Sequence, residues 1–193
     1  MNIYIGCGLT HVPRDSFEEY TLYIHQLAGQ LSDNEGHSVQ YALIHSDPQL
    51  ASKPPCEKAK LCYLWDRRMV ENSDVIIAEA SFPSTGLGIE MQIAEVKGIP
   101  IVICFREIDS NRVVPIAYKN PDHTKHDLQT GEGFVSLMAL GIPSAFQVIK
   151  YIDYEDGIAH VIDAVRLLTS NDVALKPKRL PSSVCLSPWP PWC

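Results

Sequence analysis

The sequence lacks the features that would assign it at once to a metal-binding, secreted or membrane class of protein. Its six cysteines form no Cys-x-x-Cys pair, and no His/Cys cluster has the spacing of zinc ligands. No apolar run is long enough to span a bilayer, and the first residues do not resemble a secretory signal peptide. We therefore expect a cytoplasmic protein with reduced thiols, no metal site and no membrane partner.

Basic charge is also scarce. The formal net charge is −7, and Lys176, Lys178 and Arg179 fall in a final stretch that has no acidic residue. The rest of the chain is therefore more acidic still, which argues against a nucleic-acid partner because such a partner calls for a basic face. A small anionic ligand is not excluded, since backbone amides bind phosphate without a basic patch.

Two nucleotide-binding motifs are absent as well. The chain has neither the phosphate-binding loop Gly-x-x-x-x-Gly-Lys-Ser/Thr nor the dinucleotide fingerprint Gly-x-Gly-x-x-Gly. Nucleoside triphosphate and dinucleotide sites are therefore disfavoured, and we expect no cofactor.

Short apolar runs alternate with helical patterns along most of the chain. The runs that predict strands lie at residues 2–6, 39–43, 74–79, 100–105 and 146–152. Apolar residues at helical spacing predict helices near residues 16–31, 57–72, 89–97, 133–140 and 158–168. This alternation indicates an α/β fold: a flavodoxin-like, doubly wound sheet of five parallel strands with helices on both faces.

The length of 193 residues fits one domain, which we assign to residues 1–170. Residues 171–193 are rich in proline and tryptophan and are expected to be a disordered tail. Asp15 or Ser16 is expected to cap the first helix. The second helix is expected to turn four side chains inward: Leu61, Leu64, Trp65 and Met69.

Residues 107–132 interrupt the alternation with a polar stretch. A segment of this length without its own pattern is usually functional or mobile. It contains a His/Asp cluster at residues 122–127 that has two interpretations, a metal site or a solvated loop. Because the cluster has no clean ligand spacing, we favour the solvated loop.

The stretch from Phe82 to Glu90 joins a buried strand to a helix. It reads as a glycine-rich turn followed by a glutamate in the first turn of the helix. Such a turn lets a ligand approach the backbone and offers helix amides to an anion, although it also suits a purely structural connection. Doubly wound sheets bind ligands beyond the carboxyl ends of their strands, where this turn would meet Gly6-Cys7-Gly8.

Four motifs occur in an order that resembles the nucleoside 2-deoxyribosyltransferase superfamily. They are residues 4–8 (Tyr-Ile-Gly-Cys-Gly), Asp66, the glycine-rich turn ending in Glu90, and residues 136–141 (Ser-Leu-Met-Ala-Leu-Gly). The resemblance covers about residues 2–168 and is most specific from Asp66 to Arg106. It implies that the domain over residues 1–170 is catalytic.

The resemblance implies a role for each carboxylate. Glu90 matches the family's nucleophile, which attacks C1′ of the sugar and forms a glycosyl-enzyme ester. Asp66 matches the aspartate that protonates or orients the departing base; without the resemblance it would read as a solvated helix residue paired with an arginine. Tyr4 could place its ring at the sugar, or simply pack in the sheet.

Two serines point to a branch of the superfamily. The transferases carry an aspartate and an asparagine at the positions of Ser84 and Ser136, where both contact the sugar 5′-hydroxyl. The nucleotide hydrolases carry serines there, which bind the 5′-phosphate, and Gly86 and Gly88 would add backbone donors. The family's second serine comes from a neighbouring subunit, so the resemblance implies a homodimer or higher homo-oligomer in which Ser136 reaches the neighbouring site.

The segment after the first predicted strand departs from the nucleotide hydrolases and favours the transferases. The nucleotide hydrolases follow their first strand with a Gly-Ser-x-Arg phosphate clamp, whereas this chain has Cys7-Gly8-Leu9-Thr10. The Gly6-x-Gly8 pattern looks more like the transferases, and Thr10, His11 or Arg14 would have to replace the missing arginine. His11 could equally be a surface residue.

The sequence therefore predicts an N-glycosidase that acts on a (deoxy)nucleoside 5′-monophosphate and releases free base and sugar 5-phosphate. A small-molecule nucleotide or nucleoside is the expected partner. The first alternative is a nucleoside 2-deoxyribosyltransferase that exchanges bases, and the second is a non-catalytic nucleotide-binding module.

Overall fold

The structure is a computed structural model that describes residues 1–170. Its elements, in chain order, are β1 (Asn2–Cys7), α1 (Arg14–Gly29), a π-helical turn (Gln30–Asn34), β2 (Ser38–Tyr41), α2 (Asp47–Leu50), α3 (Pro55–Glu71), β3 (Val75–Glu79), α4 (Thr85–Lys97), β4 (Ile101–Arg106), a 3₁₀ turn (Asp109–Asn111), β5 (Ala117–Lys119), β6 (Lys125–Asp127), α5 (Leu137–Leu140), β7 (Ala145–Tyr151) and α6 (Tyr154–Ser170). The tail predicted over residues 171–193 lies outside the described residues.

Five of the strands form one parallel sheet. Their order is β2-β1-β3-β4-β7, and every neighbouring pair runs in the same direction. This is the flavodoxin-like order, so the predicted fold class is confirmed. The chain winds outward in both directions from the centre, and the order reverses between β1 and β3, where such sheets form their ligand crevice.

The strands alternate their side chains between two separate cores. Ile5 and Ile77 face α1 and α6, whereas Tyr4 and Ile76 face α3 and α4. Because side chains along a strand point to opposite faces, each residue at a strand end belongs to one core or the other. This alternation decides which polar groups can meet at the carboxyl edge.

Several local predictions are wrong. Neither Asp15 nor Ser16 caps α1; the cap position is Pro13, which makes no side-chain cap and instead accepts the Ser16 amide at 3.0 Å. Leu64 is exposed because α3 turns mainly its C-terminal residues, such as Met69, into the core.

The polar segment before α5 is more ordered than its sequence indicates. Residues 107–132 contain an antiparallel ribbon, in which Tyr118 of β5 pairs with His126 of β6. All residues of the two ribbon strands are exposed, as predicted for a solvated segment. Within residues 1–170, no group of three or more His, Cys, Asp or Glu side chains is arranged to hold a metal ion.

The described helices do not include one that is both long and apolar enough to cross a bilayer. The cytoplasmic location stays a prediction.

Candidate active site

The carboxyl ends of β1 and β3 bring two of the predicted motifs together, residues 4–8 and the glycine-rich turn. Gly6 pairs with Ala78, and Cys7 pairs with Glu79, so the loops after the two strands start side by side. Both Gly6 and Gly8 are buried. Gly6 follows Tyr4 by two residues in β1, which puts it on the side of the sheet that α3 and α4 cover.

Helix α4 begins earlier than the sequence predicts. Ser84 is its N-cap, and the Ser84 hydroxyl oxygen accepts a hydrogen bond from the Leu87 amide at 3.1 Å. Gly86 and Gly88 therefore lie inside the first turn rather than in a loop, and Glu90 lies in the second turn. The expected first-turn position of Glu90 is wrong because Ser84 caps the helix, which therefore begins before the two glycines.

The Glu90 side chain lies against the end of β1. A Cβ atom at Gly6 would come within 2.6 Å of Glu90 Oε2, so only glycine leaves room for the carboxylate. Oε2 is buried and has no hydrogen-bond partner. Burial, and secondly the negative charge of Asp66, raise the pKa of Glu90 to about 7, while the Tyr4 hydroxyl partly offsets this.

Asp66 approaches the same region from α3. Its Oδ2 accepts a hydrogen bond from the Cys62 thiol at 3.3 Å, and its Oδ1 is buried without a partner. The alternative of a solvated aspartate paired with an arginine is wrong, because one oxygen of Asp66 accepts the Cys62 thiol and the other is buried without a partner. Asp66 and Glu90 thus supply two of the four unpartnered buried polar atoms among the described side chains.

Cys62 is a contact that the sequence analysis missed. It precedes Asp66 by one helical turn, a spacing that places two side chains on the same helix face. Burial, followed by the Asp66 charge, raises the pKa of the Cys62 thiol to about 12, so the thiol keeps its proton and acts as a donor.

Tyr4 packs in the sheet, and the placement of its ring at the sugar stays a prediction. Its side chain is 1% exposed and packs in the core under α3 and α4. Burial, then the charges of Glu90 and Asp66, raise the pKa of its phenol well above the usual value. Tyr4 therefore stays neutral beside the two carboxylates.

Ser84 and Gly8 form a second point of close approach. A Cβ atom at Gly8 would lie 2.9 Å from the Phe82 carbonyl oxygen and 3.1 Å from Ser84 Cβ. The Gly88 amide donates to the Ser84 carbonyl at 3.2 Å and is used by the helix itself. The amides of Thr85 and Gly86 precede the first hydrogen bond of the helix and have no partner within it. Gly86 is therefore a better donor for an external anion than Gly88.

Ser136 lies on a different side of α4 from Glu90. It is exposed, and as the N-cap of α5 it accepts the Met138 amide at 3.3 Å. Ser84 and Ser136 line one open cavity of about 1070 Å³, which Glu90 and Asp66 do not line. The structure thus brings Ser136 to the Ser84 cavity rather than to the carboxylate pair of its own chain.

His11 also lies apart from the carboxylate pair. It is exposed in the loop before α1, as is Thr10, and Arg14 is exposed as the first residue of α1. Among the described residues, it makes no hydrogen bond to another predicted site residue.

A third carboxylate, Glu79, was missed by the sequence analysis as a possible site residue. It ends β3 and is fully buried on the opposite face of the sheet, toward α1 and α6. Hydroxyl groups of Tyr20, Ser81 and Tyr151 donate to it. The available signal was an acidic residue at the end of an otherwise apolar strand, together with tyrosines on the first helix.

Comparison with known proteins finds a curated relative that matches part of the chain. No family model matches the chain. A curated protein from Methanosarcina barkeri, assigned by its name as 2′-deoxynucleoside 5′-phosphate N-hydrolase 1, is 36% identical over 78 residues. The matched segment is 40% of this chain and 48% of that protein, so the chain spans about half the length of the curated relative that it matches. The superfamily resemblance is confirmed.

Solved structures share the architecture at low sequence identity. A conserved protein from Enterococcus faecalis V583 is similar with a TM-score of 0.50 and 17% identity, over 83% of this chain and 96% of that one. A CMP N-glycosidase from Clostridium botulinum gives a TM-score of 0.48 at 16% identity over the same shares of the two chains. A 2-deoxyribosyltransferase from Bacillus psychrosaccharolyticus gives 0.40 at 14% identity, over 53% of this chain and 71% of that one. The Enterococcus structure supports the fold.

Proposed function

We propose that the chain is an N-glycosidase that hydrolyses the base–sugar bond of a (deoxy)nucleoside 5′-monophosphate. One observation carries the proposal. Asp66 lies close enough to Glu90 for its charge to raise the pKa of Glu90, and each of the two side chains keeps one buried oxygen without a partner. A buried carboxylate oxygen that the protein leaves unpaired is costly, which favours a role in holding a ligand.

The reaction would proceed in two displacements at C1′ of the sugar. The ionised Glu90 carboxylate attacks C1′ and forms an ester, while the base leaves with the electrons of the glycosidic bond and receives a proton, with Asp66 assisting. Water then attacks C1′, the ester bond breaks, and Glu90 is released as a carboxylate while Asp66 assists removal of the water proton. The products are the free base and the sugar 5-phosphate.

Ser84 is the residue proposed to select a phosphate. Its oxygen already accepts the Leu87 amide, so the hydroxyl proton is free to be donated to an anion. The amides of Thr85 and Gly86 open the same helix, and the positive end of the helix dipole lies there. The M. barkeri relative supports this choice, because its name specifies a nucleoside 5′-phosphate.

Ser136 is proposed to act across a homodimer, at the phosphate site of the neighbouring subunit. This assignment rests on the resemblance. It is supported by the exposure of Ser136 and of the two apolar residues that follow it, Leu137 and Met138, the latter 84% exposed. A homodimer would bury this apolar pair.

The transferase is the main alternative, because it would share the Glu90 ester and differ only in the acceptor. Incubation of a nucleoside with a second free base would reveal base exchange. A non-catalytic binding module is disfavoured, because a binder gains nothing from an unpaired carboxylate beside the sugar carbon.

The decisive experiment measures free base released from a panel of nucleoside monophosphates and the corresponding nucleosides. We expect release from at least one monophosphate, and its loss in Glu90→Gln, which keeps the shape of the side chain. Glu57→Gln is the matched control, because Glu57 is an exposed glutamate in the first turn of α3. Full activity in Glu90→Gln would refute the assigned nucleophile.

A second experiment tests the phosphate site. Ser84→Asp places a carboxylate where the phosphate is proposed to bind, so the Michaelis constant for the monophosphate should rise by roughly tenfold or more, and that for the nucleoside should rise much less. Ser84→Ala removes the hydroxyl without adding charge and should have a smaller effect. An equal loss for nucleotide and nucleoside in Ser84→Asp would remove the phosphate assignment.

A further inference from the structure

The buried carboxylate of Glu79 is placed where it can organise the loop that carries Ser84. Glu79 is 0% exposed and faces the core under α1 and α6, away from Glu90. A buried carboxylate is costly unless hydrogen bonds compensate it. Three hydroxyls do so: those of Tyr20 and Ser81 and, at 2.9 Å, that of Tyr151.

These donors come from three separate parts of the carboxyl edge. Tyr20 lies on α1, Ser81 lies in the loop that follows β3, and Tyr151 is the last residue of β7. A single carboxylate therefore joins the first helix, the central loop and the edge strand. Loss of any one donor would free one of these parts from the other two.

Ser81 extends the connection to the loop after β4. Its hydroxyl oxygen accepts the Arg106 amide at 2.7 Å, and its carbonyl oxygen accepts a hydrogen bond from the Asn111 side chain at 2.9 Å. Because the Ser81 hydroxyl donates to Glu79, its oxygen is oriented to receive that amide. The position of Ser81 thus depends on the carboxylate beside it.

The next residues of the loop are held in turn. The ring of Tyr20 packs edge-on against Phe82, with ring centroids 4.9 Å apart and planes at 84°. The Phe82 carbonyl and the Ser84 Cβ lie over the backbone of Gly8. From Ser81 to Ser84 the loop is therefore fixed first by Glu79, then by Tyr20, and then by the end of β1.

We infer that Glu79, through Tyr20, Ser81 and Tyr151, is a positioning residue that sets the place of Ser84 and the first turn of α4 for the 5′-phosphate of the substrate. This inference rests on the proposed function for the identity of the ligand. It goes beyond that function by assigning a role to a side chain that touches neither the sugar nor the base. A residue that served only core stability would not act selectively on the Ser84 loop.

The chain offers a matched pair of variants for the test. Tyr151→Phe removes a hydroxyl that donates to Glu79, whereas Tyr23→Phe removes a buried hydroxyl in the same tyrosine cluster that has no partner. Glu79→Gln replaces the carboxylate itself. If Glu79→Gln does not fold, Tyr151→Phe and Ser81→Ala carry the test.

The first measurement is amide hydrogen exchange in the full chain without ligand. We expect exchange over residues 81–88 to be about tenfold faster in Tyr151→Phe and Glu79→Gln, in keeping with the loss of one hydrogen bond, while α3 is unchanged. Tyr23→Phe should exchange like the wild type. Unchanged exchange over residues 81–88, or equal acceleration throughout the chain, would overturn the inference.

The second measurement separates the Michaelis constant from kcat. In Tyr151→Phe the Michaelis constant for the monophosphate should rise about threefold to tenfold. The Michaelis constant for the nucleoside and the value of kcat should each change less than twofold. Equal changes for both substrates would overturn the inference. If no base is released from any substrate, that failure belongs to the proposed function, and the exchange measurement alone decides whether Glu79 positions the loop.

Discussion

Replacing Glu90 by glutamine tests the electrostatics of the site without requiring any knowledge of the substrate. The pKa of Glu90 is raised in the folded chain, so the native state binds its proton more tightly than the unfolded state does. The stabilising contribution of that proton is fully present below the unfolded pKa of about 4.5. It is lost as the pH rises through the folded pKa of about 7. Above that pH the wild type contains a buried carboxylate that Glu90→Gln lacks.

The size of the effect follows from the two pKa values. An increase from 4.5 to about 7 corresponds to about 3 kcal/mol of unfolding free energy. Two sources account for the increase, first the burial of Glu90 and then the negative charge of Asp66. Glutamine keeps the shape, removes the charge and can donate a hydrogen bond toward Asp66, so it should preserve the packing against Gly6.

The assay is urea unfolding of the wild type and of Glu90→Gln at a series of pH values from 4 to 9. As the pH rises from 4.5 to 8, we expect the free energy of unfolding of the variant to increase by about 3 kcal/mol relative to that of the wild type. Above pH 8 the difference between the two proteins should stay constant. Glu57→Gln, on the exposed surface of α3, is the control for loss of a surface charge. A difference that stays constant with pH, or that changes in favour of the wild type, would refute the electrostatic reasoning.

Two further substitutions probe the neighbours of Glu90. Asp66→Asn removes a charge that raises the pKa of Glu90, so the midpoint of the rising limb of kcat/KM against pH should move below its wild-type value near 7. The maximum of kcat/KM should fall by roughly 100-fold or more, because the assisting acid is lost. An unchanged midpoint of the rising limb would contradict the coupling between Asp66 and Glu90. Gly6→Ala places a methyl group 2.6 Å from Glu90 Oε2, and activity should fall by roughly 100-fold with the sheet intact by circular dichroism. Wild-type activity in that variant would show that the carboxylate does not need this position.

The parallel sheet was predictable because buried parallel strands are strongly apolar. Runs such as residues 74–79 and 100–105 have no other simple interpretation between two helical patterns. The start of α4 was not predictable from propensity alone, since Gly86 and Gly88 suggest a turn. A single hydrogen bond from the Leu87 amide to Ser84 makes them helical, and that bond depends on local geometry.

The site was predictable only through matching motifs. Asp66 and Glu90 lie on different helices, and no periodicity in the sequence relates them. Cys62 was missed because a cysteine on a helix face normally reads as a small apolar residue. Ser136 could be matched to the family but not placed, because its position depends on a polar segment that carries its own ribbon.

The two glutamates that flank the Ser84 loop differ in the partners that the fold supplies. Glu79 ends a strand, and strand alternation turns it toward the face where three hydroxyls can reach it. Glu90 projects from a helix onto a glycine and a second carboxylate, and one of its oxygens receives no donor. Donors stabilise a carboxylate and make it a poorer nucleophile, whereas a carboxylate without them keeps its electron pair for an electron-poor carbon. Burial alone therefore does not distinguish a structural glutamate from a catalytic one. The hydrogen bonds that are missing around Glu90 are the reason why we propose the catalytic role for Glu90 and not for Glu79.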